Sequence, residues 1–278
     1  MRLLKLPSAA AFEAAAGPWL AADARTNNLI LSRLHAARFS DDVKSWLAVD
    51  GEVPQLALLA TPHDLVLSGG SVEGAEFLAD SLEVEVRQVV GPAEVADAFA
   101  ARLRQKNGRA GSVSMEMTFY TLERVARVRS PAGCMRAATR AELDELTPLA
   151  VAAEREMGVH VEERDPAAIE STLRQAIDDG QQFVWTQGPS IRAMASYVSP
   201  FKHGGARIRG VYTLPTFRGR GYGSAITGAL AERLLRGGQA WVALFADNAN
   251  PTSTGIYRRL GFQAHSIFRT WRLHYNSQ

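Results

Sequence analysis

The residues with the clearest chemical promise form one run, Val211-Tyr-Thr-Leu-Pro-Thr-Phe-Arg218-Gly-Arg-Gly-Tyr-Gly223-Ser224. It reads as a strand that passes through a basic, glycine-rich loop directly into a helix. Such an arrangement is an anion site: glycines admit positive φ and let the backbone approach a ligand, and the first helical turn offers unpaired N–H groups and a partial positive charge. Arg218 and Arg220 add formal charge, so a diphosphate would be held largely by backbone donors from Arg218 through Gly219, Arg220, Gly221, Tyr222, Gly223 and Ser224. Two other nucleotide loops are disfavoured at these positions. A P-loop needs Lys and then Ser or Thr after its last glycine, whereas Gly223 precedes Ser224 and Ala225. The alternate spacing of Gly219, Gly221 and Gly223 does not fit Gly-x-Gly-x-x-Gly.

A second run lies downstream, Asn248-Ala-Asn250-Pro-Thr-Ser-Thr-Gly-Ile-Tyr257-Arg-Arg-Leu-Gly261-Phe262. Asn250 reads as the N-cap of a short helix with Pro251 at its first position. Arg258 and Arg259 suit the carboxy-terminal end of that helix. Capping accounts for Asn250, which leaves Asn248 as the better ligand contact.

The pattern Arg-x-x-Gly-x-Gly, as Arg218, Gly221 and Gly223, resembles the signature of the GNAT superfamily of N-acetyltransferases, and the Tyr-x-x-x-Gly-Phe ending of the second run resembles that family's other signature segment. The resemblance covers about Gly133 to the carboxy terminus. It implies acetyl-coenzyme A as co-substrate, with no metal: backbone of Val211, Tyr212 and Thr213 against pantetheine, residues 218–224 around the pyrophosphate, and Asn248 and Asn250 orienting the cofactor. It further implies two central parallel strands, Ala206–Thr213 and Ala240–Ala246, splayed to admit pantetheine. An N–H of the first would polarise the acetyl carbonyl.

Direct transfer needs a neutral amine and a proton for the departing thiolate, hence an acid and a base. Tyr257 matches the family's general acid, since a phenol of reference pKa about 10 can protonate a thiolate whose conjugate acid lies near 8.5. The base is open: Glu154, Glu156 and His160 lie at the end of a helix and in the loop after it, which by resemblance border the acceptor pocket. His203 falls in a polar turn and reads as exposed.

Hydrophobic spacing supplies the elements that position these residues. In the carboxy-terminal half it predicts a strand at Met135–Ala138, helices at Glu142–Met157 and Pro166–Ile177, and strands at Phe183–Thr186, Ile191–Val198 and Ala206–Thr213. A helix over Tyr222–Arg236, a buried strand over Ala240–Ala246, a short helix from Pro251 and a final strand over Gln263–Leu273 complete it. The amino-terminal half repeats the order with helices at Ser8–Ala22 and Asn27–Arg38 and strands at Ser45–Val49, Gln55–Thr61 and Asp64–Ser68. It continues with a helix at Val72–Leu82, a strand at Glu83–Val90, a helix at Pro92–Arg104 and a strand at Ser112–Val125. The repetition suggests a duplication, with Ala126–Gly133 as linker.

The expected fold is α/β (α+β), two tandem GNAT-like domains, each a mixed, mostly antiparallel twisted sheet flanked by helices: a degenerate domain at 1–128 and a catalytic one at 134–278. The first half carries no Arg-x-x-Gly-x-Gly equivalent. Its corresponding turn, Leu67-Ser-Gly-Gly-Ser-Val-Glu-Gly74, has no basic residue and would set Glu73 against a pyrophosphate.

Bulk properties narrow the partners. Lys and Arg number 31 against 29 Asp and Glu, so no strong field favours nucleic acid or an anionic membrane. Cys134 is the only cysteine, which excludes an internal disulfide and fits a reducing compartment. No window approaches the roughly 18 apolar residues a membrane span needs. The reading is therefore a cytoplasmic enzyme acting on a small-molecule or peptide amine, without nucleic acid or membrane, and compatible with a homodimer. The alternative is a non-catalytic sensor of acyl-coenzyme A.

Overall fold

A computed structural model describes residues 1–37, 44–61, 64–157, 165–199 and 204–274. His160 and His203 lie outside the described residues. The chain divides into two compact units, one formed by Met1–Phe119 with His265–Gln278 and the other by Tyr120–Ala264.

In the first unit the chain runs β1 (Arg2–Leu6), α1 (Ala9–Ala22), α2 (Asn28–Ala37), β2 (Ser45–Asp50), β3 (Val53–Ala60), β4 (Leu65–Leu67), α3 (Val72–Ser81), β5 (Gln88–Pro92), α4 (Ala93–Asn107) and β6 (Ala110–Leu122). The order recurs as β7 (Cys134–Ala137), α5 (Leu143–Glu156), α6 (Pro166–Asp178), β8 (Gln182–Gln187), β9 (Ser190–Val198), β10 (Gly205–Thr213), α7 (Tyr222–Arg236), β11 (Trp241–Asp247), α8 (Pro251–Arg259) and β12 (Gln263–His274). Pairing recurs too. β1–β2, β2–β3 and β3–β4 are antiparallel and β4–β5 parallel. Likewise β7–β8, β8–β9 and β9–β10 are antiparallel and β10–β11 parallel.

Two expectations change. Arg2–Leu6 forms a strand where no element was expected. It pairs from Arg2↔Val49 to Leu6↔Ser45, so its conformation is set by a partner about forty residues away rather than by a local pattern. The strand expected over Glu83–Val90 forms only from Gln88. Val84 and Val86 alternate with charged residues as a strand would, but the pairing with β12 begins at Arg272↔Gln88.

The compact units also differ from a division at 128/134. β12 pairs antiparallel with β5, from Phe268↔Pro92 to Arg272↔Gln88, and lies between β5 and β6 in the strand order. Leu273 enters the first unit's core with Val89, Phe99 and Leu103. Arg269 binds Asp97 and, at 2.9 Å, Glu116, while Trp271 Nε1 donates to Asp97 at 2.8 Å. The last strand thus completes the first unit, and the end of β6 gives Tyr120 and Leu122 to the core of the second.

The second unit packs helices on both faces of its sheet. Phe183, Trp185, Ala193 and Ala195 face α7 and α8. Val184 and Met194 face α5 and α6. This is the period-two alternation of a strand buried on both sides. Residues 126–133 are part of this unit and not a free linker: Ala126 N donates to Leu260 O at 2.9 Å and Trp185 Nε1 to Ala132 O at 3.2 Å.

Candidate functional site

The site begins with an irregularity in β10. Arg209 pairs with Ser196 and Tyr212 with Met194, so Gly210 and Val211 together oppose Ala195 in a β-bulge. Gly210 takes φ 60°, a conformation that favours glycine. The extra residue reverses the facing of all that follows. Ala206 and Ile208 point to the α7 and α8 face, and beyond the bulge Val211 packs on that face while Tyr212 turns to α5 and α6.

Beside the bulge the two central strands part. The parallel ladder between β10 and β11 runs through Gly205↔Trp241, Ala206↔Val242 and Arg207↔Ala243, yet β10 continues to Thr213 and β11 to Asp247. Among the described residues the ladder holds no pair beyond Arg207, which leaves an opening flanked by Ile208–Thr213 and Leu244–Asp247.

A short 3-10 turn, Pro215–Phe217, carries β10 into the loop. Gly219 (φ 74°) and Gly221 (φ 85°) both adopt left-handed conformations, and Gly221 is the N-cap of α7. No side chain caps this helix and no acidic residue occupies its first turn. A side chain at Gly219 would meet nothing within 4 Å, and one at Gly221 only Pro131, at 3.8 Å. The loop is therefore an open run of backbone before an uncapped helix start, which fits a diphosphate. Gly223 has a different role: a Cβ there would lie 3.1 Å from Thr213 Oγ1, so the first turn of α7 sits close against the end of β10.

The two loop arginines diverge. Arg220 is exposed, its guanidinium 5.8 Å from the Phe217 ring centroid. Arg218 is engaged: Nη2 donates to both carboxylate oxygens of Glu156 at 2.8 Å, and Nε donates to Thr213 O at 3.1 Å. Tyr212 Oη donates to Glu156 Oε1 at 3.4 Å, and the Arg218 guanidinium lies 5.4 Å from the Tyr212 ring centroid. Burial, then the Glu156 charge, pushes the Tyr212 phenol above its usual range.

Glu156 ends α5, whose direction is fixed at its start. Thr139 N and Oγ1 donate to Glu142 Oε2 at 2.9 and 3.0 Å, and Arg136 grips the same carboxylate through Nη1 at 2.8 Å and Nη2 at 2.5 Å. The Arg136 guanidinium holds the Glu142 carboxyl at about 2, below its ordinary value of 4.5. Glu154, half-buried, is two residues before Glu156 and so about 200° round the helix from it. The two carboxylates do not share a face.

On the far side of the opening, Asp247 Oδ1 accepts from Ala249 N at 2.9 Å and Asn250 Oδ1 from Ser253 N at 3.1 Å. Asn250 is thus the N-cap of α8, while Asn248 is exposed in the turn between β11 and α8. Tyr257 is buried in the cluster that holds Ile208, Leu244 and Ala246 along the opening. Its ring is 5.9 Å from Phe262 and 6.5 Å from Tyr120. Burial pushes its phenol up to about 12, with a hydrogen bond to Ser253 opposing the shift.

The structure brings Val211, Thr213 and residues 218–224 to one end of the opening. Tyr222 contributes there by its backbone, because its ring is buried and its hydroxyl donates to Gln187 at 2.8 Å. Ser224 is half-buried in the first turn of α7. Sequence reasoning missed the bulge, for which the isolated Gly210 inside a strand was the available signal, and the pairing of Glu156 with Arg218, for which a separation of 62 positions left none.

The fold is that of tandem GNAT proteins. A Drosophila protein matches with TM-score 0.69 at 12% identity, over 99% of each chain. A GNAT-family acetyltransferase from Colwellia psychrerythraea matches with TM-score 0.66 at 11% identity, over 99% of this chain and 100% of that one. A tandem GNAT protein from the clavulanic acid biosynthesis pathway gives TM-score 0.54 at 15% identity, over 97% and 98%. Within the chain, residues 192–272 match the family described as FR47-like protein. That span includes both signature runs. No match is found among curated protein sequences.

Among the described residues no helix is long and apolar enough to cross a membrane, and no group of His, Cys, Asp and Glu is arranged to hold a metal ion.

Proposed function

We propose that this chain is an N-acetyltransferase that passes the acetyl group of acetyl-coenzyme A to a primary amine of a small molecule or peptide, by direct attack in a ternary complex. The observation that carries the reading is the conjunction of an uncapped helix start, entered through two left-handed glycines, with a gap between parallel strands beside it. The first suits a diphosphate. The second offers the unpaired strand edges that an extended pantetheine, with its two amides, can use.

In this reading the amides of residues 219–224 hold the diphosphate and the edge of β10 from Val211 to Thr213 holds the pantetheine arm. The bulge leaves main-chain donors at Gly210 and Val211 outside the regular β9 ladder, where an N–H can polarise the acetyl carbonyl. Asn248, in the turn after β11, orients the cofactor from the other side, while Asn250 acts through the start of α8 that it caps. Tyr257 holds its proton at neutral pH and supplies it to sulfur. A phenol at about 12 is a weak donor to a thiolate of ordinary basicity, but the burial that raises the phenol also raises a thiolate beside it, which narrows the difference.

That same high value favours a second reading, a sensor that binds acyl-coenzyme A without turnover. Transfer of labelled acetyl groups to a panel of amines separates the two. Turnover that Tyr257→Phe cuts at unchanged cofactor affinity supports the enzyme; tight binding without transfer to any amine, indifferent to Tyr257→Phe, supports the sensor. Calorimetry tests what both share: Gly221→Glu places a carboxylate in the loop and is expected to abolish uptake of coenzyme A. Undiminished affinity in that variant overturns both.

A further inference from the structure

Glu156 has the position of an acid–base candidate, but its contacts describe another role. Both carboxylate oxygens are taken by Arg218, and one also accepts from the Tyr212 hydroxyl. Arg218 in turn belongs to the loop that leads into α7, and its Nε also donates to Thr213 O. Tyr212 is in reach of this pair only because the bulge turns it to the α5 face. A carboxylate has thus been brought from the end of a helix 62 residues earlier in the chain onto the first arginine of an anion-binding loop.

We propose that Glu156 is the internal counter-ion of the loop, a stand-in for the ligand's negative charge that a diphosphate must displace from Arg218. The inference rests on the reading of residues 218–224 as a diphosphate site. Its physical basis is competition. Arg218 cannot satisfy a bidentate carboxylate and a phosphate through the same Nη2 donor, and a fixed carboxylate beside the site makes the potential that an incoming polyanion meets more negative. The pair is half-exposed, 46% for Arg218 and 49% for Glu156, so solvent screens it and the exchange is shallow. Glu156 thereby cancels the charge of Arg218 when the loop is empty and limits its affinity for stray phosphates.

The test is calorimetry at low and high salt on the full chain and on Glu156→Gln, with coenzyme A and inorganic pyrophosphate as separate ligands. The expected result is about three- to fivefold tighter binding of both ligands by the variant, the scale of an exposed ion pair. Its salt dependence is expected to be steeper, because one more cation engages the ligand. Equal or weaker binding of both ligands by Glu156→Gln overturns the proposal. A fall in turnover of about a hundredfold at unchanged affinity also overturns it, since that is the mark of a base. If pyrophosphate binds more tightly to the variant while neither protein takes up coenzyme A, the counter-ion stands and the acetyltransferase reading falls. If neither protein binds either ligand, both fall.

Discussion

Helices α3 and α7 hold the same place in their units' element order and begin in opposite ways. α7 starts at Gly221 with no side-chain cap and open space around the loop. α3 starts at Ser71, whose Oγ accepts from Gly74 N at 3.0 Å, and Glu73 occupies its first turn. The backbone leading into α3 is pressed on β3: Ser71 N donates to Gln55 O at 2.9 Å, and a Cβ at Gly70 would come within 2.1 Å of that oxygen. The parallel strands differ likewise. β10 and β11 part beyond Arg207, whereas β5 closes on β4 so tightly that a Cβ at Gly91 would lie 2.8 Å from Leu67 Cβ. One element order therefore serves two ends. Leaving helix dipole and strand edges unsatisfied leaves room for a ligand, and satisfying them within the chain closes that room.

The contrast can be broken or sharpened by substitution, and the largest effect is expected in the closed unit. Phe268, fully buried on β12, should cost about 3–5 kcal/mol of stability when changed to Ala. Denaturation monitored in parallel with coenzyme A uptake should show the first unit melting early while affinity at the native temperature persists. A loss of both at once would mean that the open site depends on the closed unit.

Tyr257→Phe probes the open unit. Turnover should drop about a hundredfold while the calorimetric affinity for coenzyme A holds, as befits removal of a proton donor. Ser71→Ala removes the cap of α3 and should cost about 1 kcal/mol in urea denaturation. It should create no second coenzyme A site, because the start of α3 also lies against β3; a stoichiometry rising above one would show that the cap alone closes it.

An effect of similar size is expected from pH. The carboxyl of Glu142 is depressed from 4.5 to about 2, so its contribution is present above 4.5 and is lost as pH falls through about 2. Glu142→Gln should accordingly narrow the stability difference between pH 6 and pH 3 by about 1–2 kcal/mol, the Arg136 partner being partly exposed. An identical pH profile in the variant would remove Glu142 from the forces that aim α5.

Much of this was legible in the sequence because its signals are local. Helix α7 begins at Tyr222 and ends at Arg236, and α8 begins at Pro251 behind its Asn250 cap, as glycine, proline and cap chemistry dictate. The loop between β10 and α7 was readable for the same reason. What escaped depends on partners distant along the chain. Arg2–Leu6 is a strand because β2 is there to pair with it. The start of β5 is set by where β12 ends. In the site, the reversal at Gly210 decided that Tyr212 meets Glu156 and that Arg218 arrives already paired, none of which spacing along one strand can express.

The placement of β12 has a temporal consequence. It is synthesised after every element of the second unit, yet lies between β5 and β6 in the sheet of the unit begun first. Residues 1–119 must therefore wait, with that edge of β5 unpaired, until translation has passed Arg272. Over that interval the nascent polypeptide is open to proteolysis and to the wrong strand partner, and the order of maturation is the reverse of the order of synthesis.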